Sequence, residues 1–196
     1  VSLSGDGNTA IVGGPGDNNG VGAAWVFTRS AGVWTQQTKL VGTDTVGAPF
    51  HGASVSLSGD GNTAIVGGPG DNLMEDEVHV VGAAWVFTRS GSTWTQQGGK
   101  LTGSGETGAG RFGFRVALSD DGNTAMIGGP IDNTSVGAAW VFTRSGSTWE
   151  QQGPKLTGGE ETGTGEFGIG VTLSADGNTA LIGGSSDNGG AGAMWA

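Results

Sequence analysis

From Gly22 to Arg29 the chain reads GAAWVFTR. In an extended strand Ala23, Trp25 and Phe27 fall on one side and Ala24, Val26 and Thr28 on the other, with no charge on either before Arg29. A strand that is apolar on both faces has to be covered on both. The same pattern returns at 82–89 and 137–144 and begins again as GAMW at 192–195. Each time it is preceded by TAIVGG or a close variant, and before that by a short Val-x-Leu-Ser element starting at Val1, Val55, Val116 and Val171. These starts lie 54, 61 and 55 residues apart, so the chain is a repeat of about 55 residues.

Each full unit offers four strands, ending in one that opens at Trp34, Trp94 or Trp149 and closes at Lys39-Leu40, Lys100-Leu101 or Lys155-Leu156. No stretch keeps a helical spacing of apolar residues over three turns. The connection between the first two strands, SGDGN, SDDGN or SADGN, has constant length and carries Asp-Gly or its like, as a hairpin whose turn sets the register does. Short hairpin-linked strands at fixed period predict an all-β fold, a β-propeller of four-stranded antiparallel blades, rather than a sandwich. The units beginning near 1, 55, 116 and 171 give three complete blades and three strands of a fourth in one segment, 1–196, expected to belong to a longer array.

Composition narrows the chemistry. The 43 glycines match the many turns, and there is neither a collagen period nor an apolar run long enough for a membrane helix. Cysteine is absent, which removes disulfides and thiolate metal sites. With two histidines, no tyrosine and no nucleophile motif, the expectation is a protein that is not an enzyme. A net charge of −10 without clustered Lys and Arg argues against nucleic acid.

The stretches FGFRVALSDDGNTAMIGGP (112–130) and FGIGVTLSADGNTALIGGS (167–185) resemble the FG-GAP repeat, which builds the β-propeller of integrin α subunits and of many bacterial surface proteins. The resemblance implies a secreted or cell-surface, bacterial protein that works in adhesion or protein binding. It also implies a calcium loop of the form D-x-D-x-D-G in the first turn. Here that turn has shrunk, and the one or two carboxylates it keeps (Asp6, Asp60, Asp120 with Asp121, and Asp176) fall short of the six to eight oxygens calcium takes. The reading is therefore no cofactor, with calcium as the alternative.

In a four-stranded antiparallel blade the two-to-three and four-to-one connections share one side. Of the 18 acidic residues, 12 fall in those connections. The two-to-three connection of the second unit, Pro69 to Val81, is also six residues longer than its counterparts, and residues 73–81 are expected to be exposed. This face is the expected site for a protein or glycan partner, and self-association that completes the propeller is the other partnership expected. Its candidates are the recurring Asp-Asn pairs Asp17 and Asn18, Asp71 and Asn72, Asp132 and Asn133, and Asp187 and Asn188, together with Glu75, Asp76 and Glu77 of the longer loop. Asp-Asn pairs also stabilise turns, a local explanation for the same recurrence. The function expected is a non-catalytic extracellular binding or structural module. Alternatives are a subunit of a surface assembly or filament, a lectin with repeated pockets, and an accessory propeller of a larger enzyme. Trp85 and Trp140 are expected to be wedges between blades, and Asn133 opens the glycosylation motif NTS.

Overall fold

The computed structural model describes residues 1–72 and 80–196. Glu75, Asp76, Glu77 and His79, and with them most of the expected exposed loop, lie outside the described residues. The described chain forms four antiparallel sheets, one per repeat. The first contains β1 (Ser2–Leu3), β2 (Thr9–Gly14), β3 (Ala23–Ser30) and β4 (Val33–Leu40). The second contains β5 (Ser54–Leu57), β6 (Thr63–Gly68), β7 (Ala83–Ser90) and β8 (Thr93–Gln96). The third contains β9 (Arg115–Leu118), β10 (Thr124–Gly129), β11 (Ala138–Ser145) and β12 (Thr148–Gln151), and the fourth β13 (Gly170–Leu173), β14 (Ala180–Gly184) and β15 (Ala193–Trp195). In each sheet the strands follow chain order.

Two details differ from the sequence pattern. β4 runs unbroken to Leu40, with a register shift at Val26/Phe27, but β8 and β12 stop at Gln96 and Gln151. The second and third units carry one residue more here, as Gly98-Gly99 and Gly153-Pro154, and the chain rejoins the third strand only at the single bridges of Ala84 with Leu101 and Ala139 with Leu156. Glycine and proline weaken a strand interior, which accounts for the break. The second difference lies in the two-to-three connections, where Asp17–Gly20, Asp132–Ser135 and Asp187–Gly190 form one-turn helical segments. They wind left-handed: Asn18 and Asn19 have φ of 47° and 56°, and Asn133 and Thr134 have 50° and 58°. Asparagine tolerates that conformation, so the Asp-Asn pairs mark tight left-handed corners.

Consecutive sheets pack through their middle strands. Ile11, Ala24 and Val26 of the first sheet meet Val66, Ala83 and Trp85 of the second, and Ile65, Ala84 and Val86 of the second meet Ile127, Ala138 and Trp140 of the third. The indoles of Trp85 and Trp140 are fully buried in these layers. Trp34, by contrast, is 41% exposed, and Arg29 lies over its ring. On the side of the first hairpins the sheets are joined by backbone bonds from Gly5 to Gly59, Gly59 to Asp120 and Asp120 to Ala175, each N–H donating to the next unit's carbonyl at 2.8–2.9 Å. The Ser2, Ser54 and Ser56 hydroxyls accept from Leu57, Val116 and Leu118 N–H, so the first strands lie side by side. Four twisted sheets with their first strands together form a propeller-like arrangement.

Candidate functional site

The first hairpin shows how fully a recurring motif can be used by the fold. The Ser4 hydroxyl donates to Asp6 Oδ1 at 2.6 Å, Asn8 donates to the same oxygen through its backbone and to Oδ2 through its amide, and Thr9 N–H donates back to Ser4 Oγ. The pattern repeats at Ser58, Asp60, Asn62 and Thr63, at Ser119, Asp121, Asn123 and Thr124, and at Ser174, Asp176, Asn178 and Thr179. Donors converging on a carboxylate favour its charged form. They hold Asp6 at about 2. In the first three units an arginine of the third strand also donates to the turn asparagine: Arg29 to Asn8, Arg89 to Asn62 and Arg144 to Asn123.

The Asp of three of the four Asp-Asn pairs, Asp71, Asp132 and Asp187, lies at a junction with the preceding unit. Asp71 and Asp132 are fully buried and Asp187 is 9% exposed. Asp71 Oδ1 accepts from Val46 N–H at 2.9 Å, Asp132 Oδ1 from Thr107 N–H at 2.6 Å, and Asp187 Oδ1 from Thr162 N–H at 2.7 Å, always from the four-to-one connection of the preceding unit. The other oxygen meets the lysine of the same unit: Lys100 pairs with Asp71, Lys155 with Asp132 and Lys39 with Asp17. Asp187 has no lysine partner among the described residues. The neighbouring asparagines bond through the backbone, Asn72 N–H to Val46 O, Asn133 N–H to Thr107 O and Asn188 N–H to Thr162 O, and the side chains of Asn18, Asn133 and Asn188 face solvent. Thus Asp71, Asp132 and Asp187 each bind the preceding unit, Asp17 pairs with Lys39 of its own unit, and the outward groups at these corners are the amides of Asn18, Asn133 and Asn188. Asp71 and Asp132 are buried carboxylates whose lysine partners, Lys100 and Lys155, are only partly covered, and loss of either lysine would leave a buried carboxylate without its cation.

A second carboxylate sits beside two of these junctions. Glu106 Oε1 accepts from Gly110 N–H and Glu161 Oε1 from Gly165 N–H, both at 2.8 Å, while Oε2 of each is buried without a partner. In the first unit the corresponding positions hold Thr45 and Pro49. Proline has no N–H to offer, and the glutamate is absent where that donor is absent. Burial, reinforced by Asp132, pushes Glu106 up to about 8. Between the ordinary carboxyl value and about pH 8 the folded protein thus holds a proton that the unfolded chain has lost, and stability falls as pH rises through that window. Glu106→Gln should flatten the slope. Unfolding curves of the two proteins are expected to converge near pH 5 and to separate in favour of Gln at pH 9.

His51 takes the place that Phe112 and Phe167 fill in later units. All three are buried. Its Nδ1 lies 3.0 Å from Val21 O, its ring centroid lies 4.1 Å from that of Trp85, and Nε2 has no partner. Burial holds the imidazole below its ordinary value, against the pull of Asp71. The neutral ring is therefore the folded form, and stability falls as pH drops below about 6.5, where the unfolded histidine binds a proton. His51→Phe should raise stability by about 1 kcal/mol at pH 7, by removing an unmet buried acceptor. It should raise it further at pH 5.5, as thermal melts at the two pH values would show.

One of these junctions lies within a stretch that matches a known family. Residues 34–87 match the family model of the FG-GAP repeat. The matched stretch runs from the fourth strand of one sheet to the third strand of the next, so it spans a junction, including His51-Gly52 and Gly67-Gly68-Pro69. No curated protein matches the chain. Among solved structures it is similar to TolB from Acinetobacter baumannii, with 13% identity, a TM-score of 0.48, and coverage of 93% of this chain and 36% of that one. The chain thus spans about a third of that protein's length.

Proposed function

We propose that this chain is a non-catalytic binding or structural module of the β-propeller type, carried on a bacterial surface or secreted, with its partner approaching the side of the two-to-three and four-to-one connections. The observation that supports this is the division of labour among the polar residues. Those that recur in every unit are spent on turns and on joining sheets. Among the acidic groups that vary from unit to unit and face solvent, Asp44 and Glu160 lie in the four-to-one connections, while Asp120 lies in a first hairpin and Glu150 in a fourth strand. A surface of that sign suits a cationic protein partner.

The test is retention of a panel of basic proteins and of a glycan array on the immobilised chain. Binding of a basic protein that weakens with salt and with Asp44→Asn and Glu160→Gln together is the expected result. Saturable binding of one glycan that ignores both salt and these substitutions would replace this reading with that of a lectin.

A further inference from the structure

The turn that enters the third sheet wraps one aspartate from two sides. Ile131 N–H donates to Gly110 O and Asn133 N–H to Thr107 O, and Thr107 N–H donates to Asp132 Oδ1, so residues 106–110 lie across Asp132. Glu106 begins this turn. Its Oε1 is fixed by Gly110 N–H at 2.8 Å, so closely that a Cβ on Gly110 would stand 2.2 Å from it, and its Oε2 is buried with no partner. A Cβ on Gly129 would meet both Gly110 O and the Trp140 ring, so the indole stands beside the same turn. Lys155 reaches the other oxygen of Asp132, Oδ2. Its neighbour Leu156 exchanges two backbone hydrogen bonds with Ala139, at 2.7 and 3.0 Å, and Gly137 N–H donates to Asp132 O at 2.8 Å, so the backbone holds both partners in place. The side chain of Asp132 is fully buried and that of Lys155 is 21% exposed. An amine, a carboxyl group and a spare carboxyl oxygen thus share one enclosed place.

We infer that this place is a site of self-modification, at which Lys155 Nζ and Asp132 Cγ join in an intramolecular amide bond with loss of one water. The ion pair first becomes amine and carboxylic acid, as one ammonium proton moves to Asp132 Oδ2. The nitrogen lone pair then attacks Cγ, and the carbonyl electron pair moves onto Oδ1, where Thr107 N–H meets the charge. Glu106 in its acid form gives its proton to the departing Oδ2 hydroxyl as the C=O re-forms, and the glutamate so left takes the surplus proton from nitrogen. The lysine has lost two protons, one oxygen of Asp132 leaves as water, Glu106 ends as it began, and no oxidant or further reactant enters. Burial, which pushes Glu106 up to about 8, supplies the acid form at neutral pH. Fixed partners make the step unimolecular, and the burial of Asp132 keeps bulk water from it. Two other units hold the pair without the rest. Lys100 meets the equally buried Asp71, but Thr45 stands in place of Glu106 and Pro49 in place of Gly110. Lys39 and Asp17 are both partly open to solvent. The inference is independent of the acidic-face reading.

The test is the intact mass of the folded 196-residue chain after incubation at neutral pH. The expected mass is that of the sequence less one water, and trypsin should release residues 116–144 and 145–196 as one branched species, because an acylated lysine is not cut. Lys155→Arg, which keeps the cation, should show its full mass with an unchanged circular dichroism spectrum, and Glu106→Gln should slow the loss of water about a hundredfold or more. The stability comparison of Glu106→Gln with pH holds for chain in which the bond is still open. Full mass in the folded protein overturns the inference. So does a loss of water that survives Lys155→Arg, which would assign it to succinimides in the Asp-Gly turns. A loss undiminished in Glu106→Gln, or an equal bond between Lys100 and Asp71, overturns the part given to Glu106.

Discussion

Trp140→Ala is expected to destabilise the protein by about 3–5 kcal/mol, the range for truncating a large buried aromatic side chain. The indole lies between the second and third sheets, its ring 5.3 Å from Phe112 and its Nε1 donating to Ser104 O at 2.9 Å. Gly103 and Gly129 sit so close to it that a Cβ on either would come within 2.5–2.9 Å of the ring. Backbone at these two glycines bounds one part of the ring and cannot move in to fill the void. Trp195, which makes the equivalent bond to Gly159 O from a half-exposed position, should cost clearly less when truncated. Denaturant unfolding of both variants checks the pair. Equal losses, or a Trp140→Ala protein of unchanged stability, would show that the indole is not the wedge its burial indicates.

The second large effect is expected at Gly128. A methyl group there would stand 2.1 Å from Gly168 O, where only backbone can yield, and Gly128→Ala should cost about 3 kcal/mol or more as the third and fourth sheets are pushed apart. Gly183→Ala is the internal control, for it makes the same substitution at the same position of the next sheet and should change stability by less than about 0.5 kcal/mol. Differential scanning calorimetry on the two variants would read the contrast directly. A similar midpoint for both would mean that the turn after Phe167 is not seated as described.

Much of the fold is legible in the sequence because its causes are local. The two-sided apolar strand GAAWVFTR requires cover on both faces, and the constant SGDGN turn fixes the register of the first hairpin. The shortening of β8 and β12 was also within reach, since the extra glycine or proline stands in plain view at Gly99 and Pro154. The junctions are harder to read because their partners are far apart in sequence. The Asp-Asn pairs stand out by recurrence and by charge and so look like ligands for something outside the chain. The lysine that meets Asp17, Asp71 and Asp132 recurs with them, 22 to 29 residues later, and the pairing of strands three and four brings it back. Recurrence in step is the signal that joins the two. The backbone N–H on the other oxygen leaves no trace in side chains at all. Glu106 shows the opposite case, where the exchange of Glu and Gly for Thr45 and Pro49 records a single hydrogen bond.

The near-identity of the three internal junctions has a consequence for how the chain assembles. Residues 3–14 and 57–68 are the same twelve residues, and apart from His51 and the Thr45/Pro49 pair at the first junction the surfaces they help to form carry little that tells one unit from another. A correct neighbour is therefore chosen by the tether, through the high effective concentration of the adjacent unit, and not by complementarity of its own. During refolding at high protein concentration the advantage of the tether shrinks, and a unit of one molecule can settle in the slot of another with every contact satisfied. Repeat proteins fail in this way, by domain swapping and inter-unit misassembly. Refolding yield for this chain should accordingly fall with concentration more steeply than its stability alone would suggest, and the trapped species should be native in spectrum and wrong only in connectivity.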